Sequence, residues 1–202
     1  AWVGGVTGLT IRDSTQKLLI GRIQDSEGIG TGSIPKHLII EVVKSMGTKD
    51  LADHIKIKHV TGGTSLVFMK SYEQGREKWQ AETVDIIWYD EEPPPEIYSE
   101  GLTRTNHGQR GQRSMMTFTP LKGVTEVVRK FYTDPSKYQK LIMMTIFDVE
   151  HYSEEEREQI IASYPPHERD ARSKGIPTMG SGRVFPISEE DITVTPFEIP
   201  EY

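Results

Sequence analysis

Cysteine is absent from this chain. Disulfide staples and zinc–thiolate sites are therefore excluded, and the composition fits a reducing compartment. Long apolar runs are missing too. No stretch approaches the ~20 residues an α-helix needs to cross a bilayer, so no transmembrane helix is expected and no membrane partner. The opening, Ala1-Trp2-Val3-Gly4-Gly5, lacks the basic n-region of a secretory signal. Positive charge is not in excess: 24 Lys and Arg stand against 30 Asp and Glu, a formal net charge of −6. A nonspecific nucleic-acid clamp would usually carry the opposite sign, although a local basic patch remains compatible. There are no internal repeats. The 202 residues suffice for one sizeable core.

What the chain does have is centred on Val84-Asp85-Ile86-Ile87-Trp88-Tyr89-Asp90-Glu91-Glu92, followed at once by Pro93-Pro94-Pro95. A short apolar run bounded by breakers reads as a buried strand of an α/β sheet. The prolines cannot continue it, so the acids stand at its C-terminal end, the edge where open α/β sheets bind ligands. Four apolar residues followed by Asp-Glu form a Walker B pattern. Asp90 suits Mg²⁺, since hard cations prefer oxygen ligands. Glu91 suits the orientation of a water for attack on a γ-phosphate. The plainer alternative is a surface strand ending in solvated acids.

Along the chain, residues 1–7 read as a strand and residues 12–20 as a helix. Gly28-Ile29-Gly30-Thr31-Gly32-Ser33 resembles a phosphate cradle, but it lacks a Gly-Lys-Ser/Thr ending, and a simple loop is the other reading. Residues 35–46 carry helical spacing, with Pro35 suited to the first turn and Gly47 as the stop. Residues 55–60 and 65–70, joined through Gly62-Gly63, read as a hairpin, with His54 and His59 on its surface. Residues 71–81 are expected to be helical in part, and residues 95–105 a helix.

Arg104, Arg110 and Arg113 flank or lie in a Gly-rich loop over residues 106–113. They suit contact with phosphates of a nucleotide or of DNA, or simply an exposed basic loop. Residues 114–119 read as a strand that ends at Pro120. Thr117 and Thr119 share one of its faces, either to bond a water or phosphate beside Asp90 or merely as good strand residues. A helix over 124–132 and an apolar strand over 139–147 follow. Ser153 and Glu156 form a capping box for a helix to about Ser163. A second charged helix spans 167–174, and 175–183 reads as a linker. The alternation predicts an α/β fold with a largely parallel sheet covered by helices on both faces.

Several stretches together resemble one family. They are Ser71-Tyr72-Glu73-Gln74-Gly75-Arg76-Glu77-Lys78-Trp79, the run from Asp85 to Pro94, Met116-Thr117-Phe118-Thr119-Pro120-Leu121-Lys122-Gly123, Gly175-Ile176-Pro177 and Gly182-Arg183-Val184-Phe185-Pro186. In this order they look like the large terminase subunit of tailed bacteriophages, the motor that packages DNA into a procapsid. The resemblance implies a P-loop NTPase-type domain, a helical linker and an RNase H-like nuclease. It makes Asp90 the Mg²⁺ aspartate and Glu91 the catalytic glutamate. Thr117 and Thr119 become part of a coupling motif sensing the γ-phosphate. The family often places a trans-acting arginine just before the Walker B strand, where Arg76 and Lys78 are the nearest cations, and Arg76 is taken for that role.

The resemblance further implies ATP as substrate, double-stranded DNA, a small terminase subunit and a portal protein as partners, a homo-oligomeric ring, and action in the host cytoplasm. The Walker A motif, Gly-x-x-x-x-Gly-Lys-Ser/Thr, does not occur. The expectation is therefore a fragment: part of the ATPase domain over 1–147, linker over 148–186, and a lead-in to a nuclease over 187–202. It is expected to be inactive alone. The competing readings are a noncatalytic binding or assembly module working through the Arg104–Arg113 loop, and a helicase-type ATPase.

Overall fold

In the computed structural model of the chain, residues 1–80, 82–106, 113–133, 135–177 and Thr193 are described. Two compact units are present, Ala1–Phe118 and Thr119–Tyr202. Among the described residues no helix is long and apolar enough to cross a membrane.

The first unit is built on a six-stranded sheet. Its strands are β1 (Trp2–Gly5), β2 (Ile39–Lys44), β3 (Ala52–Lys58), β4 (Thr64–Ser71), β5 (Ile87–Asp90) and β6 (Ser114–Thr117). Their order across the sheet is β2-β3-β4-β1-β5-β6. β4, β1, β5 and β6 run parallel, while β2, β3 and β4 form an antiparallel meander, so the sheet is mixed with a parallel half. β1 is buried along its whole length, as a central strand covered on both faces must be.

The two glycines of β1 show what covers each face. A side chain at Gly5 would strike Ile11, and one at Gly4 would strike Trp79 and Tyr72. On the Gly5 side lies a continuous helix made of α1 (Gly8–Ile11), a π-helical turn (Arg12–Gln16) and α2 (Lys17–Ile20). Its Ile11 and Ile20 join Val3, Ile55, Val67 and Met69 in an aliphatic core. On the Gly4 side lies an aromatic layer. Trp79 stacks on Tyr89 at 5.8 Å and meets Trp2 edge-on at 5.7 Å. Helix α3 (Pro95–Arg104) contributes Ile97 and Tyr98 to this buried side, with its first proline at the helix start.

Two expectations are overturned. Residues 35–46 are not a helix: a short 3-10 turn, Lys36–Leu38, leads into β2. The helical spacing is counterfeited by a β-bulge. The register of β2 on β3 slips between Ile39 and Glu41, so Ile39 and Val42, three apart, both pack on the core. Nor do residues 139–147 form a strand. The stretch is irregular and ends in a 3-10 turn, Ile146–Asp148. Its Ile142 and Met144 are exposed, and β-branched or long apolar side chains make a strand only where a partner strand takes their backbone.

The second unit holds α4 (Glu126–Tyr132), α5 (Glu154–Ser163) and α6 (Arg169–Lys174). The expected capping box is present: the Glu156 amide donates to Ser153 Oγ, and the Ser153 amide donates to the Glu156 carboxylate. The Tyr132 hydroxyl donates to the Gly175 carbonyl at 2.9 Å.

Candidate functional site

β5 stops at Asp90 because the chain turns out of the sheet at Glu91. Glu91 has φ +64, the left-handed region that a non-glycine residue occupies at a cost of about 1–3 kcal/mol. Neighbouring groups hold it there. Its amide donates to the Thr117 carbonyl at 2.8 Å. The Tyr72 hydroxyl, from the 3-10 turn Tyr72–Gln74, donates to the carbonyls of both Asp90 and Glu91, at 3.0 and 2.9 Å. Burial, then the nearby Tyr89, Asp90 and Glu91, push the Tyr72 phenol well above its ordinary pKa, so it remains a proton donor. A non-glycine residue held in this region is the kind of outlier from which a functional hypothesis starts.

The half-buried Asp90 carboxylate accepts bonds on both oxygens. Thr117 Oγ1 donates to Oδ1 at 3.2 Å, and Trp88 Nε1 donates to that threonine oxygen at 2.8 Å, which turns the threonine hydrogen toward Asp90. Thr15 and Ser14 donate to Oδ2 at 3.2 and 3.4 Å. A carboxylate oxygen is a ligand that suits a hard cation. Among the described residues no three His, Cys, Asp or Glu side chains converge as a metal cage. Asp90 is the one residue of this arrangement that could hold a hard cation such as Mg²⁺, the other ligands then coming from water and phosphate.

The structure brings Asp90, Glu91 and Thr117 together at one sheet edge. Arg76 and Arg104 meet elsewhere. Both bond the buried carboxylate of Glu100, Arg76 through Nε at 2.9 Å and Arg104 through Nε at 2.8 Å, with Gln80 at 3.4 Å. Arg104, then Arg76 and Gln80, hold the Glu100 carboxyl below its ordinary pKa. Arg76 is the more exposed of the two arginines, its side chain 56% accessible against 29%. Arg113 is exposed, and its carbonyl accepts the Ile87 amide. Arg110 lies outside the described residues. Thr119 belongs to the second unit, where its carbonyl accepts the Leu121 amide. The Gly28–Ser33 loop uses its amides structurally: Gly30 and Ser33 donate to the Ile20 and Leu18 carbonyls at the end of α2, leaving those donors committed to the helix.

Sequence reasoning missed Ser14, Thr15, Tyr72 and Trp88. Tyr72 and Trp88 stand within stretches that carry the family resemblance, while nothing local distinguishes Ser14 and Thr15. Thr15 lies 75 positions from Asp90, and only the adjacency of β1 and β5 under one helix makes them neighbours.

A family described as "Terminase large subunit, T4likevirus-type, N-terminal" matches residues 11–192. The terminase large subunit of Salmonella phage P22 is 53% identical over 206 residues, covering 100% of this chain and 41% of that protein. That of Enterobacteria phage LP7 is 43% identical over 210 residues, covering 99% of this chain and 42% of that protein. The chain thus spans about two-fifths of the length of these relatives. The solved large terminase of a thermophilic bacteriophage shares the fold, with a TM-score of 0.59 at 15% identity, covering 88% of this chain and 40% of that one.

Proposed function

The chain belongs to the terminase large-subunit family, in its N-terminal part, and on that premise we propose that it is part of an ATPase motor driving double-stranded viral DNA into a procapsid. The observation that carries this reading is the placing of Asp90 and Glu91 at the tip of β5, an interior parallel strand, with the Asp90 carboxylate bonded by Thr117 of the next strand. Asp90 would hold Mg²⁺ directly or through water. Bound Mg²⁺ would offset negative charge on the phosphates of ATP. Glu91, exposed and fixed by its backbone, would orient and polarise the attacking water.

Thr117 would sense the γ-phosphate through the bond it already makes to Asp90, and Thr119 would carry that signal onward as part of the same motif. Arg76 of a neighbouring subunit in a ring would stabilise transition-state charge, a contribution of about 10³–10⁵ in rate in related enzymes. Arg104, Arg110 and Arg113 are assigned to contact with DNA or phosphate. The small terminase subunit and the portal protein would complete the packaging complex in the host cytoplasm. The longer protein would also cut DNA. No Walker A motif occurs in the 202 residues, so the phosphate cradle would come from outside them.

The test is Mg²⁺-dependent ATP hydrolysis by this chain and by the longer subunit, each beside its Glu91→Ala variant. Hydrolysis by the longer form, absent from the chain alone and abolished by Glu91→Ala, is the expected result. No hydrolysis in either form, with folding intact, would overturn the motor reading in favour of a binding module.

A further inference from the structure

We propose that Thr15, with Ser14 beside it, is a positioning residue for Asp90: the two hydroxyls fix one carboxylate oxygen and so set how the group presents itself to a metal ion. The inference rests on the reading of Asp90 as a metal ligand and adds the part of the chain that aims it.

Thr15 is 1% exposed. A hydroxyl buried this deeply needs a partner, and a threonine within a helix ordinarily finds one in the carbonyl a turn earlier. Here the hydroxyl reaches across to Asp90 Oδ2 instead. The helix is built to allow it. Residues Arg12–Gln16 form a π-helical turn between two α-helical ones. In a regular α-helix consecutive side chains diverge by about 100°. The wider turn lets the adjacent Ser14 and Thr15 donate to the same oxygen, and π turns of this kind recur at functional sites.

The donors are also of the right kind. Thr15, Ser14 and Thr117 are neutral, and among the described residues no lysine or arginine bonds the carboxylate. A cationic partner would have competed with a metal for the same charge, whereas hydroxyls orient the carboxylate and leave its charge for the ion. The next residue anchors the turn. Gln16, 1% exposed, donates to the Asp50 carbonyl at 3.0 Å and accepts from the Ala52 amide at 2.6 Å, tying the turn to the start of β3. The aspartate is therefore aimed from a rigid element on each side, the helix at Oδ2 and β6 at Oδ1.

The test uses the longer subunit carrying Thr15→Val, Thr15→Ser, Ser14→Ala or Asp90→Ala. Mn²⁺ binding is read by electron paramagnetic resonance with a nonhydrolysable ATP analogue, beside the Mg²⁺ concentration giving half-maximal hydrolysis. Thr15→Val should weaken Mn²⁺ binding and raise the Mg²⁺ requirement roughly tenfold, the low end of what losing an outer-shell partner costs a metal site. Thr15→Ser should restore both, and Ser14→Ala should produce a smaller rise in the same direction. A merely structural threonine would lower the urea midpoint and leave Mn²⁺ affinity unmoved. Wild-type Mn²⁺ affinity in Thr15→Val, while Asp90→Ala loses the ion, would overturn the proposal and spare the reading of Asp90. Wild-type affinity in Asp90→Ala would remove the ligand and the positioning role together. Should Thr15→Val fail to fold, wild-type affinity in Ser14→Ala would overturn the proposal.

Discussion

Alanine at Gly101 should destabilise the first unit, against the ordinary direction of the change. In a helix interior Gly→Ala normally stabilises by about 1 kcal/mol, and Gly101 lies inside α3. Here the new Cβ would fall 1.8 Å from the Tyr89 hydroxyl oxygen and 2.9 Å from Ile87 Cδ1. Tyr89 cannot swing aside: it is fully buried, stacked on Trp79 at 5.8 Å and flanked by Tyr98 at 5.9 Å. Overpacking of a tight core costs about 1–3 kcal/mol, and an overlap of this depth belongs at the upper end. The net loss is therefore about 2 kcal/mol once the helix gain is subtracted.

The oxygen responsible has no hydrogen-bond partner among the described residues. Tyr89→Phe should therefore be neutral or stabilising, since it removes a buried, unsatisfied hydroxyl. In that background the nearest atoms to the new methyl stand at 2.9 and 3.0 Å, which small shifts can relieve. The cost of Gly101→Ala should then fall to near zero, a coupling of about 2 kcal/mol, within the usual range for residues in contact. Urea unfolding followed by tryptophan fluorescence measures the cycle, with Trp79 as reporter of the same layer. A Gly101→Ala variant as stable as wild type, or equally destabilised with and without the Tyr89 hydroxyl, would refute the reasoning.

The Glu100 cluster predicts a pH dependence. Its carboxyl titrates lower in the folded state than the ordinary value of 4.5 because Arg104 and Arg76 bond it. Its contribution is therefore complete above the unfolded pKa and is lost as pH falls through the folded one. Glu100→Gln should cost about 1–3 kcal/mol at neutral pH and flatten the acid limb of urea midpoint against pH. An unchanged acid limb would place that dependence elsewhere. Arg76→Ala in the longer subunit should slow ATP turnover in the packaging complex. Because its side chain is largely exposed and Arg104 and Gln80 would still bond Glu100, the unfolding free energy read from urea titration should fall by no more than about 1 kcal/mol. Unchanged turnover would remove Arg76 from the trans-acting role.

Much of the molecule was legible in short-range signals. The apolar run broken by three prolines marked β5 and put Asp90 and Glu91 at its tip. Gly62-Gly63 marked the β3–β4 hairpin, and Ser153 with Glu156 marked the start of α5. These features are set by residues within a few positions of one another, so propensity, periodicity and capping suffice to read them. β2 was misread because a bulge gave a strand the period of a helix. Residues 139–147 were misread because apolar content says nothing about whether a partner strand is present.

What the amino-acid order determined by itself was therefore the elements and the chemistry of one strand end. Tertiary structure decided which side chains meet there. Sheet order sets β1, β5 and β6 side by side, which brings Thr15 and Thr117 to opposite oxygens of Asp90 from 75 and 27 positions away. It also drew Arg76, read as the trans-acting arginine, and Arg104, read as a contact to DNA or phosphate, onto Glu100. The physical reason is that a carboxylate's partners are chosen by hydrogen-bonding distance in the folded chain, and that distance has no counterpart in sequence separation.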